Sequence, residues 1–312
     1  MPEMPLDADL WLTEYFTAYD GYTHGITDIL AHRRTAFQDM MIVKTGVYGL
    51  ALVLDGKWQC SQADEALYHE PLVHVPCLLH QAPRSVLILG GGDGCAAREA
   101  LKWPGMETVV MVDIDGDVVA ACREHLAPMH QGAFDDPRFH LVVDDAFNYL
   151  KQTDIAFDIV ISDLSDPIED GPSAHLFTQE TFALCQNVLS KNGVFVIQAG
   201  TLGPSELSIH ARIVNTVQHV FPHATHYASS VPTWAAPIGF ALGSQQPIVW
   251  PEASVVDALL GQLRPEPVVL DSIGLLHVLH QPKHIRQAIA AETTVYTHAA
   301  PPKDFGRGLL GE

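Results

Sequence analysis

The sequence predicts an α/β protein, with a small antiparallel β-domain over residues 1–64 and a seven-stranded, doubly wound domain over residues 65–312. Three observations carry this. The apolar run Ser85-Val-Leu-Ile-Leu-Gly-Gly-Gly-Asp-Gly94 ends in a glycine turn and leads into the helical pattern Ala96-Ala-Arg-Glu-Ala-Leu101, a strand, tight loop and helix start. From there to about residue 243, apolar runs alternate with helical patterns, as in a parallel sheet with helices on both faces. Before about residue 60 the pattern is strand after strand.

Taken in order, Phe37–Val43 and Val47–Leu54 are β-rich runs separated by the hairpin signal Lys44-Thr-Gly46, and Asp55-Gly56 offers a further turn. Glu65 to about His80 reads as helix, stopped by Pro83 before the strand at Ser85. Strands follow at Val109–Val112, Phe139–Val143, Phe157–Ile161 and Val194–Gln198, with helices at Asp117–His125, Thr178–Leu189 and Ser205–Val220. His223–Ser230 and Ile238–Gly243 pair as a terminal antiparallel hairpin, and the tail from Ala299 reads as poorly ordered.

Composition excludes several function classes. With 37 acidic residues against 17 Lys and Arg, the formal net charge is −20; such a chain lacks the clustered cations that nucleic acids or anionic membranes require and suits a cationic substrate. The five cysteines are scattered without a CxxC pair, so neither zinc nor a disulfide framework is indicated. The acidic start Met1-Pro-Glu-Met-Pro-Leu-Asp7 has no signal-peptide core, and no apolar run approaches membrane-spanning length. A reduced cytoplasmic location is expected. Of the 17 histidines, His219, His223 and His226, or His277, His280 and His284, fall into apparent helical clusters. They lack the carboxylate or cysteine partners that metal sites usually add, and no metal is expected.

In open α/β sheets, ligands bind beyond the carboxyl ends of the strands. Four strands here end in acids: Asp93 in the glycine loop, Asp113, Asp144-Asp145, and Asp163. One acid at such a place is as readily a loop residue or helix cap, but four neighbouring ones repel each other, and a cationic ligand relieves that repulsion. Asp93 would also repel a pyrophosphate, so an uncharged or cationic nucleoside such as S-adenosylmethionine or a relative fits better than a dinucleotide. Asp163-Leu-Ser-Asp166-Pro167 sets two carboxylates three residues apart, able to grip or deprotonate an amine. The bland alternative is an Asx-turn before Pro167.

These residues resemble the polyamine aminopropyltransferases, the spermidine synthase family. The matching segments are Phe37-Gln38-Asp39, Leu52-Val-Leu-Asp-Gly56, Asp64-Glu-Ala-Leu-Tyr68-His69-Glu70, Gly90-Gly91-Gly92-Asp93-Gly94, Asp163-Leu-Ser-Asp-Pro167, Leu176-Phe-Thr178 and Val231-Pro-Thr233, in the family's order. The resemblance implies an N-terminal β-domain joined to a Rossmann-like, methyltransferase-type domain, and a homo-oligomer. It also implies transfer of an aminopropyl group from decarboxylated S-adenosylmethionine to an amine, with methylthioadenosine released and no cofactor. Carried over by position, Gln38, Gly90, Gly91, Gly92, Asp113, Asp145, Ala146 and Pro172 hold the nucleoside, and Asp93 takes the aminopropyl ammonium. Tyr68, His69, Asp166, Gln198 and Trp234 line the acceptor channel, and Asp163 is the proton acceptor. Residues 164–175 are the candidate closing loop.

The chain departs from the family pattern at Cys95, often glycine, at Trp234, usually tyrosine, at Gln198-Ala-Gly200, where an acid is common, and at Glu169-Asp170, which resemble an insertion. These features are similar to thermospermine synthases and to agmatine- or triamine-using relatives, so putrescine is the expected acceptor with agmatine or spermidine as alternatives. A methyltransferase is the rival enzyme, but it uses the donor with its carboxylate intact, which Asp93 repels. A non-catalytic polyamine binder would not need Asp163.

Overall fold

The computed structural model describes residues 7–17, 19–167 and 173–303. Five strands form an antiparallel N-terminal sheet in chain order: β1 (Leu10–Tyr15), β2 (Gly21–Arg34), β3 (Asp39–Thr45), β4 (Leu50–Leu54) and β5 (Lys57–Ser61). The β3–β4 turn is longer than the sequence implies. Val47 and Tyr48 lie in it, Thr45 N–H reaches the Gly49 carbonyl at 2.8 Å, and β4 begins only at Leu50. Asp55 and Gly56 both take positive φ, 49° and 75°, the tight hairpin geometry that an Asp-Gly pair favours.

Helix α1 (Ala66–His80) leads into the second sheet and is almost wholly buried despite Pro71 and Pro76. Its Glu70 carboxylate accepts the backbone N–H groups of Val268, Val269 and Leu270 at 2.7, 2.8 and 3.0 Å, tying the C-terminal segment to the core. There follow β6 (Ser85–Gly90), α2 (Cys95–Leu101), β7 (Thr108–Asp113), α3 (Gly116–His125), α4 (Ala127–His130), β8 (Phe139–Val143), α5 (Ala146–Gln152) and β9 (Phe157–Asp163). The chain continues through α6 (Gln179–Asn187), β10 (Leu189–Thr201), α7 (Leu207–Val220), β11 (His223–Val231) and β12 (Ala236–Ser244). Three short helices close the described chain: α8 (Ala253–Leu260), α9 (Ser272–Leu279) and α10 (Lys283–Ala291).

The seven-stranded sheet runs β11-β12-β10-β9-β6-β7-β8, with β12 antiparallel to both neighbours and the other pairings parallel. This is the Rossmann-like, methyltransferase-type order, and the terminal hairpin is β11–β12. Alternate residues of each strand serve opposite cores. Ile88, Met111, Ile159 and Val196 pack with α1, while Leu87, Val110, Val160 and Phe195 pack with the α6 and α7 side. Strand order reverses at β6, which has β7 on one side and β9 on the other; the crevice beyond its carboxyl end is where such sheets bind ligands.

Four expectations need correction. β1, β2 and β5 were not separately resolved by the sequence pattern, and helices α8–α10 were not anticipated. His223 and His226 lie on strand β11, so they form no helical cluster with His219. Helix α7 starts at Leu207 after Glu206, with no side-chain cap from Ser205. Residues Glu169 and Asp170 and the tail beyond residue 303 lie outside the described residues.

Candidate active site

The glycine loop leaves β6 with Gly90 and Gly91 at φ 80° and 73°. A Cβ on Gly90 would stand 2.2 Å from the Asp163 carbonyl, and one on Gly92 2.8 Å from Asp113 Oδ2. Only glycine lets the loop run this close to the two neighbouring strand ends. Gly91 N–H donates to the Asp163 carbonyl at 2.9 Å, so the loop and the end of β9 are one unit.

At the end of β7, Asp113 Oδ1 accepts the Asp115 N–H at 2.8 Å. Burial pushes its carboxyl up to about 6, and the negative charges of Asp115, Asp163 and Asp93 add to this. Asp115 was not picked out from the sequence. Its Oδ2 accepts the Thr35 hydroxyl at 2.6 Å and Gln38 Nε2 at 3.0 Å, while Oδ1 caps α3 on Val118 N–H at 3.2 Å. The Asp115-Gly116 pair at a helix start was the available signal. Gln38 thus reaches the β7 end of the crevice from the N-terminal sheet. At the end of β8, Asp145 caps α5 through Asn148 N–H at 3.0 Å and sits 3.7 Å from His175 Nε2, with Ala146 buried behind it.

Asp93, only 8% exposed, accepts the Cys95 N–H on Oδ1 at 2.8 Å and faces His69 Nε2 with Oδ2 at 3.6 Å. His69 Nδ1 lies 2.9 Å from both the backbone oxygen and Oε2 of Glu65. Two acceptors there require an N–H on Nδ1. Although burial opposes it, Asp93 and Glu65 raise the His69 pKa and keep the ring protonated. Glu65 in turn takes a two-pronged hydrogen bond from Arg98 at 2.8 and 2.9 Å. Arg98 Nε reaches Glu99 at 2.7 Å, and Glu99 also holds Lys102 and His74, each at 2.8 Å. This buried chain of alternating charge begins at Asp93 and was invisible in the sequence, since Glu65 and Arg98 are 33 residues apart.

The other half of the crevice is built around Asp163. Tyr68 donates its hydroxyl to Asp163 Oδ1 at 2.6 Å. Burial pushes the Asp163 carboxyl up to about 6 with help from the Asp93 charge, against the opposing pull of His69 and Tyr68. Asp166 Oδ1 accepts Gln198 Nε2 at 2.6 Å, and burial, reinforced by Glu206, pushes this carboxyl up to about 7. Gln198 is fixed in turn by the Gly200 N–H on its Oε1 at 2.6 Å. Trp234 sets its indole edge-to-face on the Tyr68 ring, with centroids 5.0 Å apart and planes at 75°.

Tyr68, His69, Asp93, Asp163, Asp166, Gln198 and Trp234 are therefore brought together, and Gln38, Asp113 and Asp145 line the adjoining strand ends. Pro172 lies outside the described residues. Chemically, the crevice offers a run of carboxylates, three of them raised toward neutrality, with His69 behind Asp93 and Lys57 acting on Asp166. It suits a ligand that brings several positive charges and has a proton to lose.

Comparison with known proteins agrees. Residues 65–250 match the spermine/spermidine synthase domain and residues 10–62 the spermidine synthase tetramerisation domain. A polyamine aminopropyltransferase of Synechococcus sp. (strain JA-3-3Ab) is 53% identical over 303 residues, covering 94% of this chain and 97% of the relative. One from Aeropyrum pernix is 43% identical over 288 residues, covering 90% and 91%. A spermidine synthase crystallised with the transition-state analogue AdoDATO superimposes with a TM-score of 0.85 at 27% identity, covering 93% of this chain and 99% of that one. The Thermotoga maritima spermidine synthase gives 0.82, also at 27% identity, covering 93% and 98%. The chain belongs to the spermine/spermidine synthase family and is a polyamine aminopropyltransferase.

Proposed function

We propose that the enzyme transfers the aminopropyl group of decarboxylated S-adenosylmethionine to putrescine, giving spermidine and methylthioadenosine, with Asp163 as proton acceptor. The observation that carries this is the Tyr68 hydroxyl on Asp163 Oδ1 at 2.6 Å beside the glycine loop. An ammonium cannot attack carbon until it loses a proton, so a carboxylate within reach of the acceptor nitrogen is required. The amine lone pair forms the new C–N bond as the C–S bond breaks, the sulfonium leaves as the neutral thioether, and the proton goes to Asp163. The sulfonium activates its own carbon, so the scheme uses no cofactor and no metal. Protein catalysis then reduces to in-line positioning and proton transfer.

On this reading Gln38, Asp113, Asp145, Ala146, the Gly90-Gly91-Gly92 loop and Pro172 hold the nucleoside. Asp93 takes the donor ammonium, and Asp166 with Gln198 takes the far end of the acceptor. His69, engaged on both ring nitrogens, holds Asp93 in place and is a weak partner for an acceptor cation. A second reading, the same chemistry on agmatine or spermidine, is favoured by the acids beyond Asp166. Glu14 and Glu206 act on the Asp166 carboxyl along with Lys57, a richer far end than a diamine needs. The tetramerisation-domain match supports a homo-oligomer. Five buried free thiols and the net charge of −20 support a reducing cytoplasm and no nucleic-acid partner.

The test is methylthioadenosine release by the pure protein with decarboxylated donor against putrescine, agmatine, cadaverine, spermidine and norspermidine. The highest kcat/KM on putrescine is expected. A preference of more than roughly tenfold for agmatine or spermidine, about 1.4 kcal/mol in transition-state binding, would move the assignment to the second reading.

A further inference from the structure

We propose that Asp64, at the junction between the two sheets, is a positioning residue for the acceptor end of the site, acting through Thr233 and Trp234. The inference rests on the reading of Tyr68 and Asp163 as the acceptor end. The Tyr68 ring is caged by three neighbours: His69 at 4.9 Å, Trp234 at 5.0 Å and Phe240 at 5.5 Å between centroids. His69 and Phe240 belong to α1 and β12, whose backbone ladders fix them. Trp234 does not. It sits at the end of the short 3-10 turn Pro232–Trp234, closed by Ala235 at φ 55°. Its buried Nε1–H has no hydrogen-bond partner among the described residues, so nothing polar on the indole itself anchors it.

What anchors the turn is Asp64. This carboxylate is only 5% exposed, and its Oδ2 accepts both the Thr233 N–H at 2.8 Å and the Thr233 hydroxyl. A buried carboxylate with two donors on one oxygen is a stiff connection, because releasing either donor leaves a desolvated charge short of a partner. Trp234 also packs against the N-terminal core of Ile26, Val43, Ala51, Val53 and Trp58. The chain of contact therefore runs from the N-terminal sheet through Asp64, Thr233 and Trp234 to the Tyr68 ring and the Asp163 carboxylate. Loosening the turn would let the indole retreat and the Tyr68 hydroxyl drift off Asp163. A displacement of about 1 Å at such a place can cost up to roughly 100-fold in rate. The donor side is built on the ends of β6, β7 and β8 and adjoins this chain of contact at Asp163, through Gly91, and at His69.

Asp64→Ala and Thr233→Val, which replaces the hydroxyl by a methyl group and leaves the backbone N–H, are each compared with the parent for acceptor KM and kcat, using the amine that serves the parent best. Methylthioadenosine binding is measured by calorimetry on the same samples. Expected are a rise in acceptor KM of roughly tenfold or a comparable loss of kcat, nucleoside affinity within about twofold, and parental behaviour in Thr233→Ser, which restores the hydroxyl. Parental kinetics in Thr233→Val, or a matching loss of nucleoside affinity, would overturn the proposal. If Asp64→Ala does not fold, the Thr233→Val and Thr233→Ser pair decides alone. A wrong acceptor assignment appears separately, as a different best amine in the parent.

Discussion

Replacing Asp163 by Asn keeps the shape of the side chain and a partner for the Tyr68 hydroxyl, but removes the proton acceptor. An acceptor ammonium with a pKa near about 10 must pass its proton to a carboxylate that burial has pushed from 3.8 up to about 6. At an ordinary carboxylate the transfer would be uphill by roughly 6 units, and at the raised one by roughly 4, a gain of about 3 kcal/mol at 1.36 kcal/mol per unit. That is on the order of 100-fold in rate, the low end of what general-base catalysis contributes. Asp163→Asn should therefore lose roughly 100-fold or more in kcat, while methylthioadenosine, which has no proton to give, binds within about threefold of the parent. Single-turnover kinetics with saturating donor, paired with calorimetry, separates the two. Turnover within about tenfold of the parent would refute the role of Asp163 as base.

Because a base must be ionised to accept a proton, kcat/KM should fall as pH drops through about 6, the value to which burial and neighbouring acids raise Asp163, with Asp113 titrating in the same range; a profile flat from pH 7 to 5 would contradict this. Asp93→Asn should weaken decarboxylated donor and narrow its advantage over S-adenosylmethionine, whose carboxylate Asp93 repels; equal calorimetric affinities of the parent for the two would sink the argument. Arg98→Met leaves Glu65 and Glu99 short of their shared partner in a buried site, at a cost of about 3–5 kcal/mol. Its melting temperature should drop by at least about 6 °C, and a value unchanged on heating would mean the buried charge chain contributes little.

The sheet and its carboxylates were legible because both follow from local pattern. Strands β6 to β9 are short, largely apolar runs paired in parallel, and the topology sends their carboxyl ends to one edge, so acids that follow them in sequence meet in space. The N-terminal sheet was less legible for a physical reason. Strand β2 slips register against β3 between Ile26 and Asp28 and again between Ile29 and Ala31, and each slip breaks the alternation of faces by which a strand is read. Helices α8–α10 have 8, 8 and 9 residues, below the length at which a helical period stands out from chance.

The cations that stabilise the acids were unreadable for a different reason, and the difference bears on mechanism. Asp93 is neutralised from behind by His69, itself held by Glu65 and Arg98, groups brought together from α1 and α2 by packing alone. Asp163 and Asp166 receive instead the neutral donors of Tyr68 and Gln198. A neutral donor orients a carboxylate without cancelling its charge, whereas an imidazolium both orients and cancels. A polyamine would bring cations to Asp163 and Asp166, and one of its ammonium groups would give up a proton. The different setting of Asp93 and of Asp163 and Asp166 arises from helix packing that no local motif encodes.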